Sequence, residues 1–367
     1  MKRLAILILC IAGCGSADNS TPGDGTARLV ALGTDFSTTG IVSTVDIPSL
    51  EVTQNAIDGI ASTDPVVRDI RGRLYVVNRF GADNITVVDR DALSLVAQVS
   101  TGNGTNPQDV EIVGDTLYVA ALASAGVITF DAGDVAAGPT AMIDLSSLDP
   151  DDGIPNCSTL RASGDRLYVA CGILDDTDAF LTPRGTGKIA VIDTSDDSVV
   201  TTVDMQNQNP FGFMQSMIGS GGSDLVVATV PSFGDLTMGC VERISTTATP
   251  SSECLVTNSD LGGYASSIAA VDADHLLIAV TEAFDDSDFG PLGYLTQYDV
   301  LAGQAAAPMT PSEQRPFDAV LCPSGHIAIA DAGGGVRIYD EGGTELTTNP
   351  LDIGLPPVSR GLSCWIP

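Results

Sequence analysis

Carboxylates are the residues of this sequence best supplied for chemistry. Three tight groups occur: Asp149, Asp151 and Asp152 in DPDDG, Asp175, Asp176 and Asp178 in DDTD, and Asp285, Asp286 and Asp288 in DDSD. Carboxylates crowded into turns are hard oxygen ligands suited to Ca²⁺, so calcium is the cofactor the sequence permits. None of the groups follows the EF-hand spacing D-x-[DN]-x-[DN]-G with a closing Glu. Asp is also a favoured turn residue, because its side chain bonds its own backbone, and solvated turn chemistry is the competing reading. General-base catalysis would use His, and the chain has only His275 and His326. Two His exclude a three-His metal site. No G-x-S-x-G nucleophile motif occurs either.

The overall charge narrows the field further. The chain has 367 residues and a net charge of −31, with 39 Asp and 8 Glu against 14 Arg and 2 Lys. A nucleic-acid binder needs a basic footprint, and this chain has the opposite sign. Bundles and coiled coils are rich in Glu, Lys, Ala and Leu, whereas this sequence is rich in Asp, Gly, Thr, Ser and Val. An apolar share of 44% excludes disorder.

The elements that must position the carboxylates are short strands. A β signature recurs as Leu74-Tyr75-Val76-Val77, Leu117-Tyr118-Val119-Ala120 and Leu167-Tyr168-Val169-Ala170. Weaker copies begin at Leu225, Leu276 and Ile327, and Arg28-Leu29-Val30-Ala31 opens the series. Steps between later copies run from about 43 to about 58 residues, which suits one propeller blade of four strands. A Gly- or Asp-containing turn precedes each strong copy, and a shorter strand, often opened by Pro, lies before that turn. A third strand ends in Asp at Asp89, Asp131, Asp193 and Asp340. Apolar runs of four to six residues bounded by turns are strands, not helices.

The reading is therefore all-β: a single seven-bladed β-propeller with four-stranded blades. The blades cover 28–58, 64–102, 105–146, 155–205, 210–258, 262–312 and 315–353. Blade 1 lacks an innermost strand, and the segment 357–367, PVSRGLSCWIP, reads as an innermost strand without a blade. The C-terminal strand is expected to complete blade 1 and close the ring, removing open sheet edges. In this arrangement all three Asp groups share one face, with the first two side by side. His275 and His326 fall at one repeat position, the turn before the second strand, as structural surface residues do.

The stretch LYVVNRFGADNITVVDRDAL at 74–93, followed by Asn106-Pro107-Gln108-Asp109-Val110 and a second LYVA, resembles the YVTN-type repeat of bacterial and archaeal β-propellers. Tyr75-Val76-Val77-Asn78 stands where the eponymous tetrapeptide would. The resemblance is strong in blades 2–4 and diluted elsewhere. It implies the fold and an envelope context, including lipoproteins, but no single activity.

Innermost strands of a propeller line its central channel, and here they carry polar residues: Arg68, Asp69, Gln108, Asp109, Arg161, Gln215, Ser266, Asp318 and Arg360. Hydration and inter-blade hydrogen bonding would account for them. A small-ligand site at the channel mouth is the sharper reading.

Eight cysteines divide into two in the N-terminal segment, Cys10 and Cys14, and six in the body. An even count in an exported chain suggests disulfides. Cys157 and Cys171 flank a Gly164-Asp165 turn, and Cys240 and Cys254 flank a Thr/Pro/Ser turn, so both pairs fit cross-strand bridges. That leaves Cys322 with Cys364, a bridge across the ring seam.

Residues 1–13, MKRLAILILCIAG, have a positive start and an apolar core of about ten residues, too short for a bilayer core of roughly 30 Å. Ile11-Ala12-Gly13-Cys14 resembles a bacterial lipobox, which implies cleavage after residue 13 and lipidation of Cys14. Gly15 after it favours the outer membrane by analogy with enteric sorting. The expected organisation is a signal at 1–13, a lipidated Cys and flexible tether at 14–27, and a propeller domain at 28–367.

Three functions fit. The first is a membrane-tethered extracytoplasmic binding or scaffold module, a monomer with a protein or small-molecule partner. The alternative is a propeller hydrolase or lactonase using a carboxylate-bound divalent metal at the channel mouth. The third is a structural envelope protein whose charge repels neighbours and retains cations.

Overall fold

The computed structural model describes residues 27–178, 181–219, 222–287 and 290–367. They form seven antiparallel sheets in a ring. Six sheets have four strands; in blade 7 the outer position is held by isolated bridges, Val336 to Leu351 and Tyr339 to Glu345. Helix is confined, among the described residues, to the turns Val135–Ala137, Ser146–Leu148 and Asn258–Leu261. No helix among them is long and apolar enough to cross a membrane. The N-terminal segment with Cys14 lies outside the described residues.

Each blade face packs on its neighbour, and this explains the repeat. The second strands Arg73–Asn78, Thr116–Ala121 and Arg166–Cys171 are buried along almost their whole length. A strand covered on both faces reads as a continuous apolar run, and β-branched and aromatic side chains fill that setting. Outermost strands have one open side: Ser94–Ser100 and Ser198–Asp204 are largely exposed. The core is accordingly divided into seven apolar layers, one between each pair of adjacent blades.

The Asp that ends each third strand caps the following turn. Asp89 accepts from the Ala92 N–H (2.8 Å), Asp131 from Gly133 (2.8 Å), Asp193 from Ser195 (2.9 Å) and Asp340 from Gly342 (2.9 Å). Only a short side chain reaches its own backbone in this way. That geometry is one reason Asp outnumbers Glu.

The C-terminal strand Pro357–Trp365 is the innermost strand of blade 1 and pairs with Arg28–Thr34, Leu29 opposite Cys364 and Gly33 opposite Pro357. The seam is bonded covalently by Cys322–Cys364, from the end of the innermost strand of blade 7. Cys157 and Cys171 are directly opposite in register and bridged. The expected third bridge is absent: Cys240 and Cys254 are free thiols, the first buried and the second exposed. The register explains the correction. Cys240 faces Thr257, and a bulge after Val241 sets Cys254 opposite Glu242, so the two cysteines are diagonal. Diagonal positions lack the direct opposition that Cys157 and Cys171 have, and the two thiols meet as a hydrogen-bonded pair rather than a bridge. Burial pushes both thiols up, so they remain protonated.

Candidate functional site

The innermost strands begin at one face of the disc, called the top here. The connections between blades and the loops between second and third strands also lie on that face. What fills the axis starts from a sequence irregularity in blade 5. Phe211 faces Ala228, but the next pair is Gln215 with Val226, so residues 212–214 bulge against Val227 alone. Gly212 takes φ +79°, the left-handed conformation that glycine adopts without steric cost. The bulge carries Phe213 towards the axis. Its ring centroid lies 3.6 Å from the Arg68 Cζ and 5.3 Å from the Arg360 Cζ, within cation–π range for both.

Arg68 is fully compensated. Its Nε and Nη2 donate to the two carboxylate oxygens of Asp109 at 2.7 and 2.8 Å. Asp109 is wholly buried and also accepts from the Thr159 hydroxyl (2.7 Å), the Leu160 N–H (3.1 Å) and its neighbour Val110 N–H (2.8 Å). Thr159 in turn accepts from the Met214 N–H at 2.8 Å. One carboxylate thus ties blades 2, 3, 4 and 5 together.

Arg360 has a different environment. It is only 6% exposed, yet no carboxylate among the described residues pairs with it. Its Nη2 donates to Gln108 Oε1 at 3.2 Å, and its buried Nε has no hydrogen-bond partner. The same Gln108 oxygen accepts from Arg79 Nη1 at 3.1 Å. Gln108 Nε2 donates to Asn106 Oδ1 (2.8 Å), which fixes the amide with its oxygen toward the two guanidiniums. Arg79 is anchored from outside by Asp64 at 2.5 Å.

Above these groups the top face opens into a cavity of about 170 Å³. Arg79, Gln108 and Arg360 supply its cationic side, and Leu122, Leu174, Leu181, Phe211 and Phe233 supply its apolar wall. Phe211, Phe233 and Tyr264 meet edge to face with centroids 5.6–5.8 Å apart, which stiffens the rim. A second cavity of about 30 Å³, lined by Gln215, Ser266, Asp318, Arg360 and Phe213, lies deeper. Burial pushes the Asp318 carboxyl up to about 6, against hydrogen bonds from Ser267 and the Ala319 and Gly361 N–H groups.

Most of the polar residues expected along the channel meet at this centre: Arg68, Gln108, Asp109, Gln215, Asp318 and Arg360. Asp69 does not; it pairs with Arg90 at 2.9 Å, and Arg90 lies 5.8 Å from the Trp365 ring. Arg161 pairs with Glu111 at 3.1 Å and donates to Ser216. The cavity wall itself, Phe211 and Phe233 with Arg79, went unread in the sequence. Its one local signal was Phe211-Gly212-Phe213 in an innermost strand, where a glycine between aromatics marks a bulge.

The first two Asp groups do come together on the top face, around an arginine. Arg184 lies 3.5 Å from Asp149, 4.0 Å from Asp151, 2.7 Å from Asp152 and 3.4 Å from Asp175. The Thr177 hydroxyl and N–H, with Arg184, hold Asp175 below the usual carboxylate range. Asp176 accepts from Asn156 at 2.9 Å, and burial raises it. Asp178 accepts from the Thr182 hydroxyl. In the third group Asp285 accepts from the Ser287 N–H at 2.7 Å, Asp286 is exposed, and Asp288 lies outside the described residues. Among the described residues no three His, Cys, Asp or Glu side chains are grouped to hold a metal ion. His275 and His326 sit at the turn before the second strand, bonded to Asp272 (2.9 Å) and Ser324 (3.0 Å).

Similar solved structures exist. The chain is similar to the WD40 domain of Pan2 from Neurospora crassa, with 12% identity over 76% of this chain and 75% of that one, TM-score 0.54. It is similar to hydrazine synthase of Kuenenia stuttgartiensis, 18% identical over 74% of each chain, TM-score 0.51. It is also similar to apo AztD from Citrobacter koseri, 12% identical over 93% of this chain and 98% of that one, TM-score 0.52. At these identities the likeness establishes the propeller fold alone. No protein-family model matches the chain, and no curated protein matches it.

Proposed function

We propose that this protein is a membrane-tethered extracytoplasmic binding module of the YVTN-repeat type, whose small ligand seats in the top-face cavity. One observation carries the reading. Phe213, stacked on Arg68, and the Arg68–Asp109 pair fill the axis beneath a top-face cavity of about 170 Å³, which gives the site the form of a cup. Concave, mostly apolar walls with a few convergent polar groups are the general form of a ligand site. The axial carboxylates favour binding over metal-assisted hydrolysis, because Asp109 and Asp318 are already engaged by hydrogen-bond donors.

The tether fits this role. The described chain starts at Ala27, beside the end of the innermost strand where Arg28 meets Trp365. That is the face opposite the cup. A lipid on Cys14 would hold the disc at the outer membrane with its cup turned away from the bilayer.

Two measurements test the reading. Mass spectrometry of membrane-extracted protein should find a diacyl- or triacylglyceryl N-terminus at Cys14; an unmodified mature end elsewhere refutes the anchor. Ligand-observed NMR with a fragment library should give hits whose affinity drops at least tenfold in Phe233→Ala, a change at the exposed rim. Hits indifferent to that change would refute the cup.

A further inference from the structure

We propose that the ligand of the cup is a small organic anion: a carboxylate on an apolar body, with the carboxylate at Arg360 and Arg79 and the body against Phe211 and Phe233. This deepens the cup reading and depends on it. Among the described residues only two arginines are buried, Arg68 and Arg360. In a chain with 47 acids to 16 bases, carboxylates are in ample supply, and Arg68 has the best of them. Arg360 has none. Burying a charge without a counter-charge is costly, so its counter-charge is expected from outside the chain.

Three details place that charge in the cup. Arg360 lines the cavity, and there its Nη2 reaches only the neutral Gln108 oxygen. Gln108 Oε1 serves two cations with one neutral oxygen. A carboxylate offers two charged oxygens and matches the guanidinium fork. Arg360 is also held at φ +61°, a strained backbone for a side chain with a Cβ, and such strain persists where the surroundings fix a working geometry.

Size and polarity narrow the class. A dry cavity of about 150 Å³ holds a benzene ring, so a cup of about 170 Å³ takes a single ring or a short branched chain with its carboxylate. Inorganic phosphate or sulfate would leave the Phe211–Phe233 wall against water. An organic cation would meet two guanidiniums.

The test is calorimetric titration of the purified full-length protein with benzoate, phenylacetate and hexanoate, each beside its primary amide. The carboxylates should bind at least tenfold more tightly than the amides. Arg79→Gln and Arg360→Gln should each abolish that preference while leaving amide affinity within about twofold. Phe233→Ala should weaken both series alike. Amides that bind as well as the acids would overturn the anion assignment and leave the cup standing. Silence from both series, or affinities untouched by Phe233→Ala, would bring down cup and anion together. Arg360→Gln must keep or raise the unfolding temperature; a fall of several degrees would make Arg360 a structural group and overturn the assignment.

Discussion

Arg68 and Arg360 approach one phenylalanine ring from neighbouring blades, and both are buried. Arg68 meets a carboxylate that also collects a hydroxyl and two backbone N–H groups. Arg360 meets an amide oxygen that it shares with a third arginine. The contrast separates a charge the fold has neutralised from one it has left open. In the first, the ion pair is part of the joint between blades. In the second, the fold has fixed a guanidinium in place without its counter-charge.

The strongest way to break the contrast is Asp109→Ala. It strands Arg68 as a buried unpaired charge and frees the donors of Thr159 and Leu160, so a loss of about 3–5 kcal/mol is expected in urea unfolding. A loss below about 1 kcal/mol would show that Arg68 is no better supported than Arg360.

Next comes the buried acid Asp318, which accepts from the Gly361 N–H. Burial raises Asp318 to about 6 in the fold, from 3.8 when unperturbed. A carboxyl with a raised folded pKa favours the native state when protonated. Its contribution is complete below about pH 4 and is lost as pH climbs through about 6. Roughly two units correspond to about 3 kcal/mol. Wild type should therefore lose about that much stability relative to Asp318→Asn between pH 4 and pH 7. Parallel stability curves for the two proteins would mean that Arg360 already shares its charge with Asp318.

A third arginine calibrates the other two. Arg184 is surrounded by carboxylates but remains partly solvated, so Arg184→Ala should cost far less than Asp109→Ala at low salt, and less still in 1 M NaCl. A loss as large as that of Asp109→Ala would mean that burial is not what sets the two axial arginines apart. The smallest effect is expected from Phe213→Leu, which removes both cation–π contacts: about 1 kcal/mol, with the Arg68–Asp109 pair intact. Thermal unfolding at neutral pH would reveal a larger loss if the ring, rather than Asp109, held the axis together.

The fold was legible because its signals repeat. Leu74-Tyr75-Val76-Val77 and its copies mark strands covered on both faces, and the unpaired Pro357–Trp365 segment had one open place to go. The shared face of the first two Asp groups followed from blade topology. What could not be read came from local shifts of strand register and from loop paths. A bulge after Val241 sets Cys254 opposite Glu242 rather than opposite Cys240. A second bulge at Gly212 brings Phe213 inward and forms the floor of the cup. Arg184 lies 32 residues after Asp152 and meets it only because a loop returns across the top face. Periodicity predicts the strands of every blade; it does not predict the register shifts within them, nor the three-residue bulge of blade 5.

Ring closure also makes the molecule a check on its own completeness. The strand Arg28–Thr34 is made early and its partner Pro357–Trp365 last. A chain cut short by stalled synthesis or by a protease cannot shut, and it keeps a raw edge that invites aggregation or degradation. Cys364 lies within that strand, so the Cys322–Cys364 bond forms only once both sides of the seam have been made. The disulfide thus serves as a chemical record that the ring has shut.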